Sequence, residues 1–213
     1  MKRMNNSDLF GKIISLIEEN KKFPSYQAER RIDIFLNIFL EDIVRIIYPN
    51  SRIKFIAPEF PLRKTELRKD GKEYQLSTKV DYLCLKDPET APSILLIELK
   101  TDANSYDPVQ HQVYKVYNTW EKCVGGLKKI ISKGKISFAN RLKYFHLIYT
   151  LAENNLLSRS PDLSNLKDQY ENAVHKTHTY KEKKAFSSGL IKYLKTAKVA
   201  KINTEVIYIG PRE

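Results

Sequence analysis

Cysteine is almost missing from this chain: Cys84 and Cys123 are the only two in 213 residues. Two thiols cannot build a disulfide framework or a four-cysteine zinc or iron–sulfur site. Their scarcity suits a reducing, cytoplasmic compartment. Glycine (7) and proline (9) are also few, which excludes collagen-like and linker-dominated chains. Long apolar runs are lacking too. The longest charge-free stretches, such as residues 144–152, fall far short of the ~20 residues a membrane span needs. Met1-Lys2-Arg3 has the basic start of a signal peptide, but Asp8, Lys12, Glu18 and Glu19 cut the apolar stretch behind it, so that reading is rejected. Internal repeats and low-complexity linkers are absent. What is present is an ordinary globular balance, 42% hydrophobic and 29% charged, in a chain long enough to bury a core unaided. One domain over residues 1–213 is expected, with a core at about 25–151 and a basic helical part at about 152–213.

Acidic residues are scarce in the second half. The net charge is +12. Residues 1–119 hold 19 Lys and Arg against 17 Asp and Glu, whereas residues 120–201 hold 17 against 6. A polyanionic partner is implied, with nucleic acid ahead of an anionic membrane surface. Lys128, Lys129, Lys133, Lys135, Arg141 and Lys143 form one basic group. A second group of seven lysines lies between 181 and 201, interleaved with Phe186, Leu190, Ile191, Tyr193 and Leu194. Lysines of this kind neutralise phosphates without reading sequence. Leu190, Ile191 and Leu194 are expected in the core.

Periodicity predicts a short amphipathic helix at 8–20 and a stronger, broadly apolar one from 25 or 26 to 47. Strands are expected at 52–62, interrupted near Pro58 and Pro61, at 75–86 after an Asp70-Gly71 turn, and at 93–101. Asp107-Pro108 opens a helix to at least Cys123, with a break or kink at Gly125-Gly126. Residues 143–151 read as a strand, 163–176 and 183–199 as helices, and 204–209 as a closing strand. This order predicts an α/β fold, a central mixed β-sheet flanked by helices on both faces.

The chemistry concentrates on two strands. Glu98 and Lys100 project from one face of the most apolar strand, while Leu99 points the other way. Asp81 lies on the preceding strand. If the two strands pair across residues 87–92, Asp81, Glu98 and a main-chain carbonyl make a hard oxygen site suited to Mg²⁺. A lysine beside it can orient water or stabilise charge on a phosphate. Glu-x-Lys occurs three times, at Glu19/Lys21, Glu98/Lys100 and Glu182/Lys184, and only the middle one ends a run of branched aliphatics. A structural Glu98–Lys100 or Asp81–Lys100 ion pair is the bland alternative.

Val80-Asp81, sixteen intervening residues and Glu98-Leu99-Lys100 together resemble the signature of the PD-(D/E)xK nuclease superfamily. Gln27-Ala28-Glu29-Arg30 resembles the Glu-Arg start of that family's first core helix. Gln110-His111-Gln112-Val113-Tyr114 resembles the Gln-x-x-x-Tyr motif of its RecB-like branch. The likeness spans about residues 29–114, with Val80 standing where the family often has proline. It implies a restriction-endonuclease-like core and Mg²⁺-dependent hydrolysis of DNA phosphodiesters, with Mn²⁺ as a substitute ion. It assigns the metal to Asp81, Glu98 and the Leu99 carbonyl, water positioning to Lys100, an outer role to Glu29, and bracing to Gln110 and Tyr114. Glu41 is a weaker candidate for the role of Glu29. A homodimer is an option for a double-strand cutter. A non-catalytic nucleic-acid-binding module with the same fold, and a subunit docking an acidic protein, are the alternatives.

The remaining candidates are weaker. His175 and His178 could share a metal but lack a third ligand. His111 is expected to face solvent or substrate, His146 to sit in a strand, and Cys84 in the core. Ser187-Ser188-Gly189 is expected to be a loop or cap.

Overall fold

The computed structural model describes residues 31–67, 73–99, 108–133, 136–174 and 179–209, with six further positions between 12 and 23. Helix α1 (Arg31–Ile47) leads into strands β1 (Ile53–Leu67), β2 (Glu73–Lys86) and β3 (Ser93–Leu99). Five helices follow: α2 (Pro108–Val116), α3 (Trp120–Lys133), α4 (Phe138–Glu153), α5 (Pro161–Val174) and α6 (Tyr180–Thr196). Strand β4 (Asn203–Ile209) closes the order. The four strands form one mixed sheet in the order β1-β2-β3-β4. The β1–β2 and β2–β3 pairs are antiparallel, and β3–β4 is parallel. The parallel pair requires a long crossover, and α2 to α6 supply it. The expected α/β sheet flanked by helices is therefore present. Its last strand comes from beyond residue 151.

Alternation along the strands sorts the core into two layers. Tyr82, Cys84, Leu95 and Ile97 face Leu40 and Val44 of α1. Leu83, Leu85, Ile94 and Leu96 face the larger cluster, which α2 to α6 complete with Tyr114, Trp120, Leu127, Phe145, Phe186 and Leu190. Cys84 and Cys123 are buried free thiols. Leu190 and Leu194 are buried as expected.

Four expectations need correction. Strand β1 is not interrupted at Pro58 and Pro61 but runs to Leu67. It is an edge strand, the place in a sheet where proline is tolerated. Residues 143–151 are helical, inside α4, whose Ser137 cap accepts the Asn140 N–H at 3.2 Å. Its buried residues Tyr144, Leu147, Ile148 and Leu151 follow the three-four spacing of a helix that is apolar over a wide arc. His146 therefore sits in a helix, 3.1 Å from Glu19. The break after Pro108 comes at residues 117–119, and α3 runs straight through Gly125-Gly126. Gly126 permits close approach instead: a Cβ there would lie 3.1 Å from the Tyr117 hydroxyl and 3.5 Å from Arg63 Cβ on β1. Ser187-Ser188-Gly189 belongs to α6 and is neither loop nor cap. The 8–20 helix as a whole, the Asp70-Gly71 turn, His175 and His178 lie outside the described residues.

Candidate functional site at the carboxyl end of the third strand

Strand β3 delivers a carboxylate into an apolar layer. Ile94 and Leu96 share its inner face, and the next residue on that face is Glu98, only 6% exposed. A buried carboxylate is costly unless hydrogen-bond donors or a cation answer it. Strand β2 brings a second carboxylate to the same place. Tyr82–Ile97 is the last pair of the β2–β3 ladder, so Asp81 and Glu98 each lie one residue past it, at the same end of neighbouring strands. Asp81 also accepts the Leu99 N–H at 2.7 Å through Oδ2, which fixes the carboxylate against the end of β3. The two acids that the sequence singled out lie together, and the charge of each reaches the Tyr114 hydroxyl.

Helix α2 roofs this pair. Tyr114 is buried, and its hydroxyl donates to Glu98 Oε2 at 2.8 Å and lies 3.0 Å from the Lys79 carbonyl. With a single proton to give, it serves the carboxylate. Gln110 Nε2 donates to the Tyr114 oxygen from one helical turn earlier. The phenol pKa is raised, first by burial and then by the charge of Glu98 and its hydrogen bond, so the donor proton stays in place. Gln110, Tyr114 and Glu98 thus form one chain of hydrogen bonds. On the β4 side Tyr208 stands opposite Glu98, and its hydroxyl lies 2.6 Å from His111 Nδ1. His111 is half-buried against Tyr208 rather than directed wholly to solvent.

The row continues onto β1. Pro58 pairs with Tyr82 and Phe60 with Val80, which brackets Glu59 against Asp81. Glu59 is 5% exposed, has a φ of 47° and accepts from Lys79 Nζ at 3.0 Å. Sequence reasoning passed over it. The available signal was a lone charge in an otherwise apolar stretch, Ile56-Ala57-Pro58-Glu59-Phe60-Pro61-Leu62.

Asp81, Glu98 and the main chain at Leu99 offer the oxygen donors of a hard dication. Among the described residues no group of three or more His, Cys, Asp or Glu side chains could hold a metal. An ion at this pair would complete its shell with main-chain and water oxygens, as Mg²⁺ commonly does. Glu29 and Lys100 lie outside the described residues. Glu41 is engaged elsewhere, accepting the Phe55 N–H at 3.0 Å and Arg45 at 3.3 Å. A cavity of about 820 Å³ lies at the other end of the sheet among Ile53, Leu85, Pro92 and Ile202 and includes neither acid.

The basic residues divide by environment. Lys181, Lys183, Lys184, Lys192, Lys195 and Lys198 are exposed. Lys128 is half-buried and bonded to the Ala197 carbonyl at 3.3 Å, and burial lowers its pKa. Comparison with protein families, curated proteins and solved structures finds no match for this chain.

Proposed function

We propose that the chain is a metal-dependent nuclease of the PD-(D/E)xK kind, with a restriction-endonuclease-like core, that hydrolyses DNA phosphodiester bonds. The observation that carries this reading is the meeting of Asp81 and Glu98 at one end of neighbouring strands, with Asp81 accepting from Leu99 and Tyr114 donating to Glu98. Further support comes from the order of elements. A helix precedes three antiparallel strands, and helices then lead to a parallel fourth strand, the order expected of that core.

In this reading Asp81, Glu98 and the Leu99 carbonyl hold Mg²⁺ or Mn²⁺. The ion would supply Lewis acidity at the phosphate and a lowered pKa for a bound water. Lys100, two residues after Glu98, orients the attacking water. Tyr114 and Gln110 lock the Glu98 carboxylate in one rotamer, so the pair is positioned before substrate arrives. Glu29 takes an outer role. The exposed lysines of α6 neutralise phosphates along the bound DNA.

The test is cleavage of duplex and single-stranded DNA by the purified chain with Mg²⁺ or Mn²⁺, against a chelator control. Metal-dependent cleavage that is lost in both Glu98→Ala and Lys100→Ala is expected. Salt-sensitive DNA binding without any cleavage would replace this reading with that of a non-catalytic nucleic-acid-binding module.

A further inference from the structure

Glu59 completes the row Glu59–Asp81–Glu98–Tyr208, and the chemistry above gives it no task. Its backbone lies in the left-handed region. A side-chain-bearing residue is uncommon there and persists only where its surroundings fix it. Its neighbours Ala57, Phe60 and Leu62 are apolar and fully buried, so an apolar side chain would suit the layer. Burying the carboxylate of such a pair costs desolvation that apolar packing does not. The Glu59–Lys79 pair therefore stands where packing alone does not call for it.

Its location gives it a use. Lys79 lies two residues before Asp81 on β2, and its side chain is 33% exposed. Its carbonyl is touched by the same Tyr114 hydroxyl that holds Glu98. Beyond this point β2 has left β3, pairing with it only from Tyr82 onward, while its pairing with β1 continues to Glu73. Residues 60–67 and 73–80 thus form a two-stranded ribbon that overhangs the carboxylate end of the sheet. Lys79 sits at its base, and Arg63, opposite Ser77, lies further out.

Building on the nuclease reading, we propose that Lys79 contacts a backbone phosphate of DNA lying across the Asp81–Glu98 pair, and that Glu59 is a positioning residue that fixes the Lys79 ammonium at the base of the ribbon. An ammonium has three donors, enough to serve Glu59 and a phosphate oxygen together. A free lysine side chain loses rotamer entropy when it is fixed. Glu59 imposes that loss during folding, before the substrate binds, which is preorganisation. The contact reads charge and not base sequence.

The experiment measures binding of a 20-base-pair DNA duplex, without divalent ions, as a function of KCl. The full chain carries Glu98→Gln to silence cleavage, and the comparison adds Lys79→Met, Lys79→Arg or Glu59→Gln. One lost phosphate contact lowers the slope of log affinity against log salt by about 0.9, and that decrease is expected for Lys79→Met. Lys79→Arg should keep the parent slope. Glu59→Gln should keep the slope but bind several-fold more weakly, because the cation remains and its fixed position is lost. Thermal melts accompany each variant. A Lys79→Met slope equal to that of the parent overturns the phosphate contact, whatever its melting temperature. A Glu59→Gln affinity equal to that of the parent overturns the positioning role. If Glu59→Gln does not fold, Glu59→Asp, whose carboxylate falls one methylene short of Lys79, takes its place with the same expected weakening and the same overturning result. Should the wild type cleave with Mg²⁺ while Lys79→Met keeps the parent slope, only this inference falls. A wild type that neither cleaves nor binds DNA removes the nuclease reading and this one together.

Discussion

Glu98 is a carboxylate set among fully buried aliphatics, and its neighbours explain how it is tolerated. Tyr114 gives it a hydrogen bond at 2.8 Å, and a donor removed from a buried charged acceptor typically costs about 1–3 kcal/mol. Tyr114→Phe should therefore lower unfolding free energy by about that amount in urea titration. It should also slow single-turnover cleavage without abolishing it. Glu98→Ala and Asp81→Ala should abolish cleavage while leaving the circular dichroism spectrum intact. His146 offers a separate test. Burial lowers its pKa below the ordinary 6.5, with Glu19 opposing the shift. The unfolded chain therefore takes up the proton first, so stability is complete above about pH 6.5 and is lost as pH falls through the lower folded value. His146→Gln should flatten that acid limb, as measured by urea midpoints at successive pH values. At this scale the spacing of Gln110 and Tyr114 put them on one helical face, and a family resemblance, with strand pairing assumed, singled them out beside Asp81 and Glu98. Glu59 was not, since its importance lies in a backbone twist and a partner twenty residues away.

Elements were legible where periodicity and length agreed, and misread where a short apolar run fits both helix and strand. Residues 143–151 alternate well enough to suggest a strand, but the run belongs to a sixteen-residue helix capped at Ser137. The cap, six residues before the run begins, was the missed signal. Pro58 and Pro61 looked like breaks because sequence does not announce which strand lies at an edge. Gly125-Gly126 looked like a breaker because a glycine pair in a helix is rare without a packing reason. The two glycines should now separate experimentally. A Cβ at 126 would press on the Tyr117 ring, while nothing lies within 4 Å of one at 125. Gly126→Val should destabilise by about 1–3 kcal/mol through overpacking. Gly125→Ala should be neutral or stabilising by up to about 1 kcal/mol from helix propensity. Thermal melts of the two variants read the contrast.

For the molecule as a whole, charge and topology point the same way. The excess of lysine falls in the crossover between β3 and β4, and its α6 members lie on the surface while Leu190 and Leu194 of the same helix fill the core. Composition made the basic half legible; it could not say that Lys128 is bonded inward to Ala197. DNA affinity should fall steeply between 50 and 200 mM salt, by about tenfold or more for each two to three phosphates contacted. Reversing Lys181, Lys183 and Lys184 to Glu should weaken binding alike for all sequences, as read by fluorescence anisotropy. Among the described residues no helix is long and apolar enough to cross a membrane.

The claim beneath all of this is that Asp81 and Glu98 together seat a divalent cation. Crystals soaked in Mn²⁺ and measured at an anomalous wavelength test it directly. The account predicts one strong peak about 2.2 Å from an oxygen of each carboxylate, with a further main-chain oxygen at Leu99 in its shell. A fully occupied Mn²⁺ elsewhere, with these two acids left uncoordinated, would contradict it.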